Sequence, residues 1–194
     1  MKKVLVPLLI IVGLLLLVGS YLGGKYNKLV TADEDVKKAW SGVQTQYQRR
    51  ADVIGSQVDV VRGAANNEKE ILIGVTKARA GITEAKEGMG QASSPAELDK
   101  YLAQAQSAAL NLKIQIEAYP QITATEAFLK LQDEVSGTEN RISVVRDDYN
   151  AVVTDYNKKV RTFPGNLFAR MFGFGQKEQF ESQAGSDKRP DISF

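Results

Sequence analysis

A chain of 194 residues, 43% of them hydrophobic, has room for a membrane anchor and one domain of ordinary size, and the roughly 170 residues left after an anchor can bury a real core. Lysine and arginine total 25 against 23 carboxylates, a net charge of +2 that argues against the strongly basic face of a nucleic-acid binder. Cysteine and histidine are absent, which removes disulfides, thiolate sites and lipid attachment through a cysteine, together with the commonest metal ligand and general base at neutral pH.

Lys2 and Lys3 precede an uncharged run from Val4 to Leu22. As a helix this run spans about 29 Å, close to the hydrocarbon thickness of a bilayer, so residues 1–24 read as a transmembrane signal-anchor. Pro7 falls in the first turn, where a missing N–H costs little. A cleaved signal peptide is the rival reading, with Val18 and Ser20 before a cut ahead of Tyr21; the length of the run favours the anchor. The clustered Lys2 and Lys3, weighed against Lys25 and Lys28, favour an amino terminus inside and a domain outside. Tyr26 follows so closely that the membrane helix and the next helix read as continuous, with Gly23-Gly24 the one candidate hinge.

From Tyr26 to Gly88 no proline occurs, and Val36, Trp40, Val43, Tyr47, Ala51, Ile54, Val58, Val61, Ala65, Leu72 and Val75 form one stripe at steps of three and four, with Glu68 the polar interruption. Such a stripe is the seam of a helix packed at a shallow angle. Gly55 or Gly63 is a candidate break, and the helix is expected to stop around Gly88–Gly90. Ser94-Pro95-Ala96-Glu97 starts the next helix as a capping box with proline at the first helical position. Its seam runs from Leu98 to Tyr119, before Pro120. Another long helix is expected from Thr123 to Arg161, with a seam through Phe128, Leu131, Val135, Thr138, Ile142, Val145, Tyr149, Val152, Tyr156 and Val160. Short connections make successive helices antiparallel neighbours. The fold class is therefore all-α: an N-terminal transmembrane helix followed by an up-and-down bundle of long antiparallel helices. A short apolar helix from Pro164 to Phe172 closes the bundle domain, residues 25–174, and residues 175–194 read as a polar, loosely ordered tail.

Specific strings add a family resemblance. Tyr26-Asn27-Lys28-Leu29-Val30, Ala39-Trp40-Ser41-Gly42-Val43-Gln44 and Tyr47-Gln48-Arg49-Arg50-Ala51-Asp52 resemble the opening of the LemA family. Gly137-Thr138-Glu139-Asn140-Arg141-Ile142 and Arg146-Asp147-Asp148-Tyr149-Asn150 resemble its later block, and Phe163-Pro164, Gly173-Phe174 and Pro190-Asp191-Ile192-Ser193-Phe194 its end. One departure is Ile54-Gly55-Ser56, where the family pattern has Ile-Pro-Asn. The resemblance implies a bacterial membrane protein with an N-terminal anchor and a helical bundle, and no established reaction. Combined with the charge pattern, it places the chain in the bacterial cytoplasmic (inner) membrane with its domain on the outer, periplasmic side.

Arg49, Arg50 and Asp52 on one long helix, with Glu139, Asn140 and Arg141 on another, lie close to apolar seams. They read either as cross-helix pairs that fix register or as a patch that recognises a partner. Tyr149-Asn150 and Tyr156-Asn157 repeat at seven residues, so both tyrosines share a face, their rings in the seam and their hydroxyls at its rim, with self-assembly as the other reading. Phe168, Phe172 and Phe174 make the C-terminal end apolar; it can dock on the bundle, lie in a membrane surface or meet another protein. The carboxylates of Asp33–Asp35 and Asp147-Asp148 do not read as a metal site: adjacent carboxylates face different sides of a helix, and a di-metal bundle site needs histidine.

No phosphate-binding glycine loop and no nucleophile elbow occurs. These features favour a non-enzymatic, single-pass cell-envelope scaffold or adaptor without a cofactor. Its expected partners are the membrane, further copies of itself and another membrane protein such as a protease, with neither a nucleic acid nor a small-molecule substrate evident. The alternative is an enzyme, or a direct regulatory subunit of a membrane protease, using lysine or carboxylate chemistry without a recognisable motif.

Overall fold

The computed structural model describes residues 2–65, 68–117 and 119–181; the string Pro190–Phe194 and the rest of the tail beyond Glu181 lie outside the described residues. Helices α1 (Lys2–Ala64), α2 (Lys69–Gln91), α3 (Pro95–Ile116), α4 (Pro120–Thr123), α5 (Glu126–Arg161) and α6 (Gly165–Phe172) account for most of them. No strand occurs among the described residues, so the chain is all-α, with an apolar N-terminal helix leading into a helical bundle. Two compact units divide it, residues 1–39 with 151–177 and residues 40–150 with 178–194; α1 and α5 contribute to both.

In the first unit the apolar start of α1 is exposed all round: Ile10, Leu14 and Leu17 show 63%, 59% and 74% of their surfaces. A helix apolar on every side suits lipid rather than water, and this one has the length and composition to cross a bilayer. Gly23 and Gly24 lie inside α1, which continues without a break. Farther on, Leu29, Ala32 and Val36 are buried in this unit, as are Val153, Tyr156, Val160 and Ala169. The buried seam of α5 here takes Val153, four residues after Tyr149, where the sequence stripe has Val152, three after it; Val152 is half-buried.

Glycine fixes the turn into and out of α6. A Cβ on Gly165 would collide with the backbone oxygen of Lys159. Gly173 takes the left-handed conformation at φ 77°, and the Phe174 N–H donates to the Ala169 carbonyl at 2.8 Å, closing the helix.

In the second unit α1, α2, α3 and α5 form an up-and-down four-helix bundle. Asp52 meets Lys86 and Asp59 meets Arg79, so α2 runs antiparallel to α1. Gly81 faces Ala108 and Gly88 faces Tyr101, which sets α3 antiparallel to α2. Asp99 meets Arg146, and the pairing of Arg50 with Glu139 and Trp40 with Tyr149 returns α5 antiparallel to α1. Val43, Tyr47, Ala51, Ile54, Val58 and Val61 of α1 are buried, as the stripe predicts. On α2 the buried position is Ile71 at 1% exposure, and Leu72 is half-buried.

Two boundaries fall within a residue of the sequence expectation and one differs. Of the two candidate breaks Gly55 lies well inside α1, whereas the helix ends at Ala64, one residue past Gly63, so the long apolar stripe divides there into α1 and α2. The second helix stops at Gln91, one residue past Gly90, as expected, and Gly88 makes room for the Tyr101 ring. Pro120 opens the single turn of α4, and α5 begins at Glu126, where Thr125 Oγ1 accepts the Phe128 N–H at 3.3 Å.

Candidate interaction cleft

The second unit carries an open cleft of about 800 Å³ bordered by Arg50, Asp99, Gln106, Glu139, Asn140, Ser143, Arg146, Asp147 and Phe180. The helical seams explain how these groups arrive together. Arg50 sits one residue before the buried Ala51 and is itself only 8% exposed. Its Nη2 lies 3.5 Å from Glu139 Oε2, whose side chain is 65% exposed. Arg50 Nε has no hydrogen-bond partner among the described residues. A guanidinium taken so far out of water with one long ion pair is costly, because desolvation is incompletely offset.

Phe180, which borders the cleft, belongs to an aromatic cluster with Trp40, Tyr47 and Tyr149. Tyr47, fully buried, donates its hydroxyl to Asp99 Oδ1 at 2.6 Å, while Arg146 Nη2 reaches Asp99 Oδ2 at 3.3 Å. Burial, then the Asp99 hydrogen bond and charge, push the Tyr47 hydroxyl well above the usual range, so it stays protonated as a donor. Phe180 stacks on Trp40 and Tyr47 with ring centroids 6.1 and 6.2 Å apart and meets Tyr149 edge-on at 5.5 Å. The Arg146 guanidinium covers the same ring at 4.7 Å. Asn150 grips the Phe180 backbone from both sides: its Nδ2 donates to the Phe180 carbonyl at 3.0 Å and its Oδ1 accepts the Phe180 N–H at 2.9 Å. Tyr149 donates its hydroxyl to the Glu178 carbonyl at 3.1 Å; burial, then the Glu178 charge, raise its pKa.

The first unit repeats the device with the next tyrosine-asparagine pair. Tyr156 donates to the Gly175 carbonyl at 2.9 Å, and Asn157 exchanges two hydrogen bonds of 2.9 Å with the Lys177 backbone. Lys177 Nζ reaches Asp33 at 3.0 Å, as does Lys37. Burial alone would raise the Asp33 pKa, but the hydrogen bonds from Lys37 and Lys177 outweigh it and hold the carboxyl below its usual range. Residues 175–181, which begin the segment read as a loosely ordered tail, are thus held by side-chain hydrogen bonds and the buried Phe180.

The remaining candidate residues separate. Arg50, Glu139 and Asn140 share the cleft. Arg49 pairs with Glu134 at 3.8 Å between exposed groups, Asp52 pairs with Lys86, and Arg141 is exposed and does not line the cleft. Phe172 and Phe174 meet the Tyr26 ring at 4.9 and 6.1 Å in the first unit, where Phe168 borders a pocket beside Lys25 and Lys28. Sequence reasoning missed Asp99, Phe180 and the backbone-reading role of Asn150 and Asn157. The seven-residue repeat of Tyr-Asn was the available signal for the asparagines; Phe180 is a lone aromatic in a polar stretch and has none.

An apolar helix fit to cross a bilayer, continuous with a helical bundle bearing a mixed-charge cleft, fits a single-pass membrane-anchored protein of bundle type. Residues 39–194 match the LemA family, and the chain belongs to it. Protein LemA of Metamycoplasma hominis is 29% identical over 147 residues, covering 76% of this chain and 64% of that relative. Magnetosome protein MamQ 2 of Paramagnetospirillum magneticum is 26% identical over 182 residues, covering 84% of this chain and 67% of the relative. MamQ of Magnetospirillum gryphiswaldense is 24% identical with the same coverage, 84% and 67%. The chain thus spans about two thirds of the length of these relatives, and none of the three bears an enzyme's name.

Proposed function

We propose that this protein is a non-enzymatic scaffold or adaptor of the cell envelope, tethered to the bacterial cytoplasmic membrane by α1 with its bundle on the outer side. It holds protein partners, further copies of itself included. The observation that carries this reading is Arg50: a nearly buried guanidinium, incompletely paired, bordering an open cleft. The cleft offers both signs of charge, Arg50 and Arg146 with Glu139 and Asp147, which is the self-complementarity an isologous contact requires. Tethering two copies to one surface raises their effective concentration, so a weak contact suffices.

Light scattering of the full chain in mild detergent tests self-assembly. The expected protein mass is a multiple of the 21.3 kDa chain mass, returning to the single-chain value in Arg50→Gln. A monomer at every concentration would remove the self-association from this account.

A further inference from the structure

We propose that the face of the first unit beside the membrane span is a docking surface for anionic phospholipid. Phe163, Leu167 and Met171 enter the boundary between headgroups and acyl chains, and Lys25, Lys28 and Lys159 hold lipid phosphates. The inference rests on the membrane-anchored reading above.

Large apolar groups stand unprotected here. Phe163 is 80% exposed, Leu167 55% and Met171 62%, and their four-residue spacing puts Leu167 and Met171 on one face of α6 with Phe163 just ahead of it. Their position explains the exposure. Phe172 and Phe174 pack on Tyr26 of α1, and Phe163 and Phe168 border a pocket of about 530 Å³ with Lys25, Lys28 and Lys159. By helical rise, Lys25 lies about 5 Å and Lys28 about 9 Å beyond Leu22, at the depth of the headgroup layer and within reach of a long lysine stem.

The charge is one-sided. Residues 19–32 and 156–177 contain no Asp or Glu. Lys158 and Lys177 are held by Asp155 and Asp33, whereas Lys25, Lys28, Lys159, Arg161 and Arg170 pair with no carboxylate among the described residues. An apolar helix face flanked by unneutralised cations, next to a span, is complementary to an anionic bilayer surface. A water-facing role would leave the apolar groups uncovered, and a protein partner would have to share the space with lipid headgroups.

The chain has no native cysteine, so Leu167→Cys accepts a single fluorophore. The labelled full-length protein is placed in phosphatidylcholine vesicles with and without phosphatidylglycerol, each carrying a quencher on the lipid chain just below the headgroup. Expected are retention of the protein through an alkaline wash and strong quenching when phosphatidylglycerol is present. A label at Gln132→Cys in the second unit should stay unquenched. Replacing Lys25, Lys28 and Lys159 by Gln should lower the docked-to-undocked ratio about fivefold per charge removed. Retention with both labels equally unquenched would overturn the inference and leave the anchor intact, as would quenching indifferent to lipid charge. Shielding of the Leu167→Cys label that grows with protein density would show a second copy on this face and also overturn it. Loss of the protein in the wash would strike the anchor itself, and the inference with it.

Discussion

Arg50 sets the sharpest residue-level contrast. A buried guanidinium held by one exposed carboxylate contributes little to folding, and an apolar side chain of similar length in its place is often neutral or stabilising. Arg50→Met should therefore leave urea stability within about 1 kcal/mol of the parent, or raise it, while abolishing assembly. A loss of about 3–5 kcal/mol would instead mark Arg50 as a packing residue. Tyr47 gives a pH test. Its folded pKa is raised, so its contribution is complete below the unfolded value of about 10 and is lost as pH rises from there towards the folded value. The urea midpoint should fall between pH 8 and pH 11, and by less in Tyr47→Phe. Trp40, the sole tryptophan, reports the aromatic cluster directly through its emission. The sequence placed Tyr47 in the seam correctly, but its hydroxyl partner Asp99 comes from α3, and no local pattern links residues 52 positions apart.

At the scale of elements, stripes and caps were the legible part. Ser94 Oγ accepts the Glu97 N–H at 3.3 Å, as the capping box predicts; Glu97 returns to the Ser93 N–H at 2.7 Å, one residue earlier than the usual partner. Those Ser93 hydrogen bonds chiefly hold the Glu97 pKa below its usual range. Ser94→Ala should cost about 1 kcal/mol in chemical denaturation, with Ser94→Asn restoring most of it. Glycines marked two helix ends, Ala64 beside Gly63 and Gln91 beside Gly90, but propensity alone cannot tell a stop from a tight contact: Gly88 also answers to the Tyr101 ring, and Gly55 is tolerated mid-helix. The segment 175–181 was opaque for a different reason. An extended chain held by side chains needs no periodicity of its own; the periodicity lies in α5, where the asparagines recur every seven residues and the gripped backbones, Lys177 and Phe180, every three.

At the scale of the whole molecule, the sequence led to membrane helix plus bundle, and the LemA family followed from strings rather than from periodicity. Charged pairs were foreseen as a class, yet their meaning depends on burial: Arg49 and Asp52 pair in exposed positions worth little, while neighbouring Arg50 is buried. The central claim is that the Arg50 cleft receives protein. Its most direct test is a photo-crosslinking side chain at the exposed cleft position Asn140, in the full-length chain expressed in its native membrane. The account predicts adducts to protein, some at twice the chain mass, that disappear when Arg50 is changed to Gln. An unadducted chain, or adducts indifferent to Arg50, would contradict it.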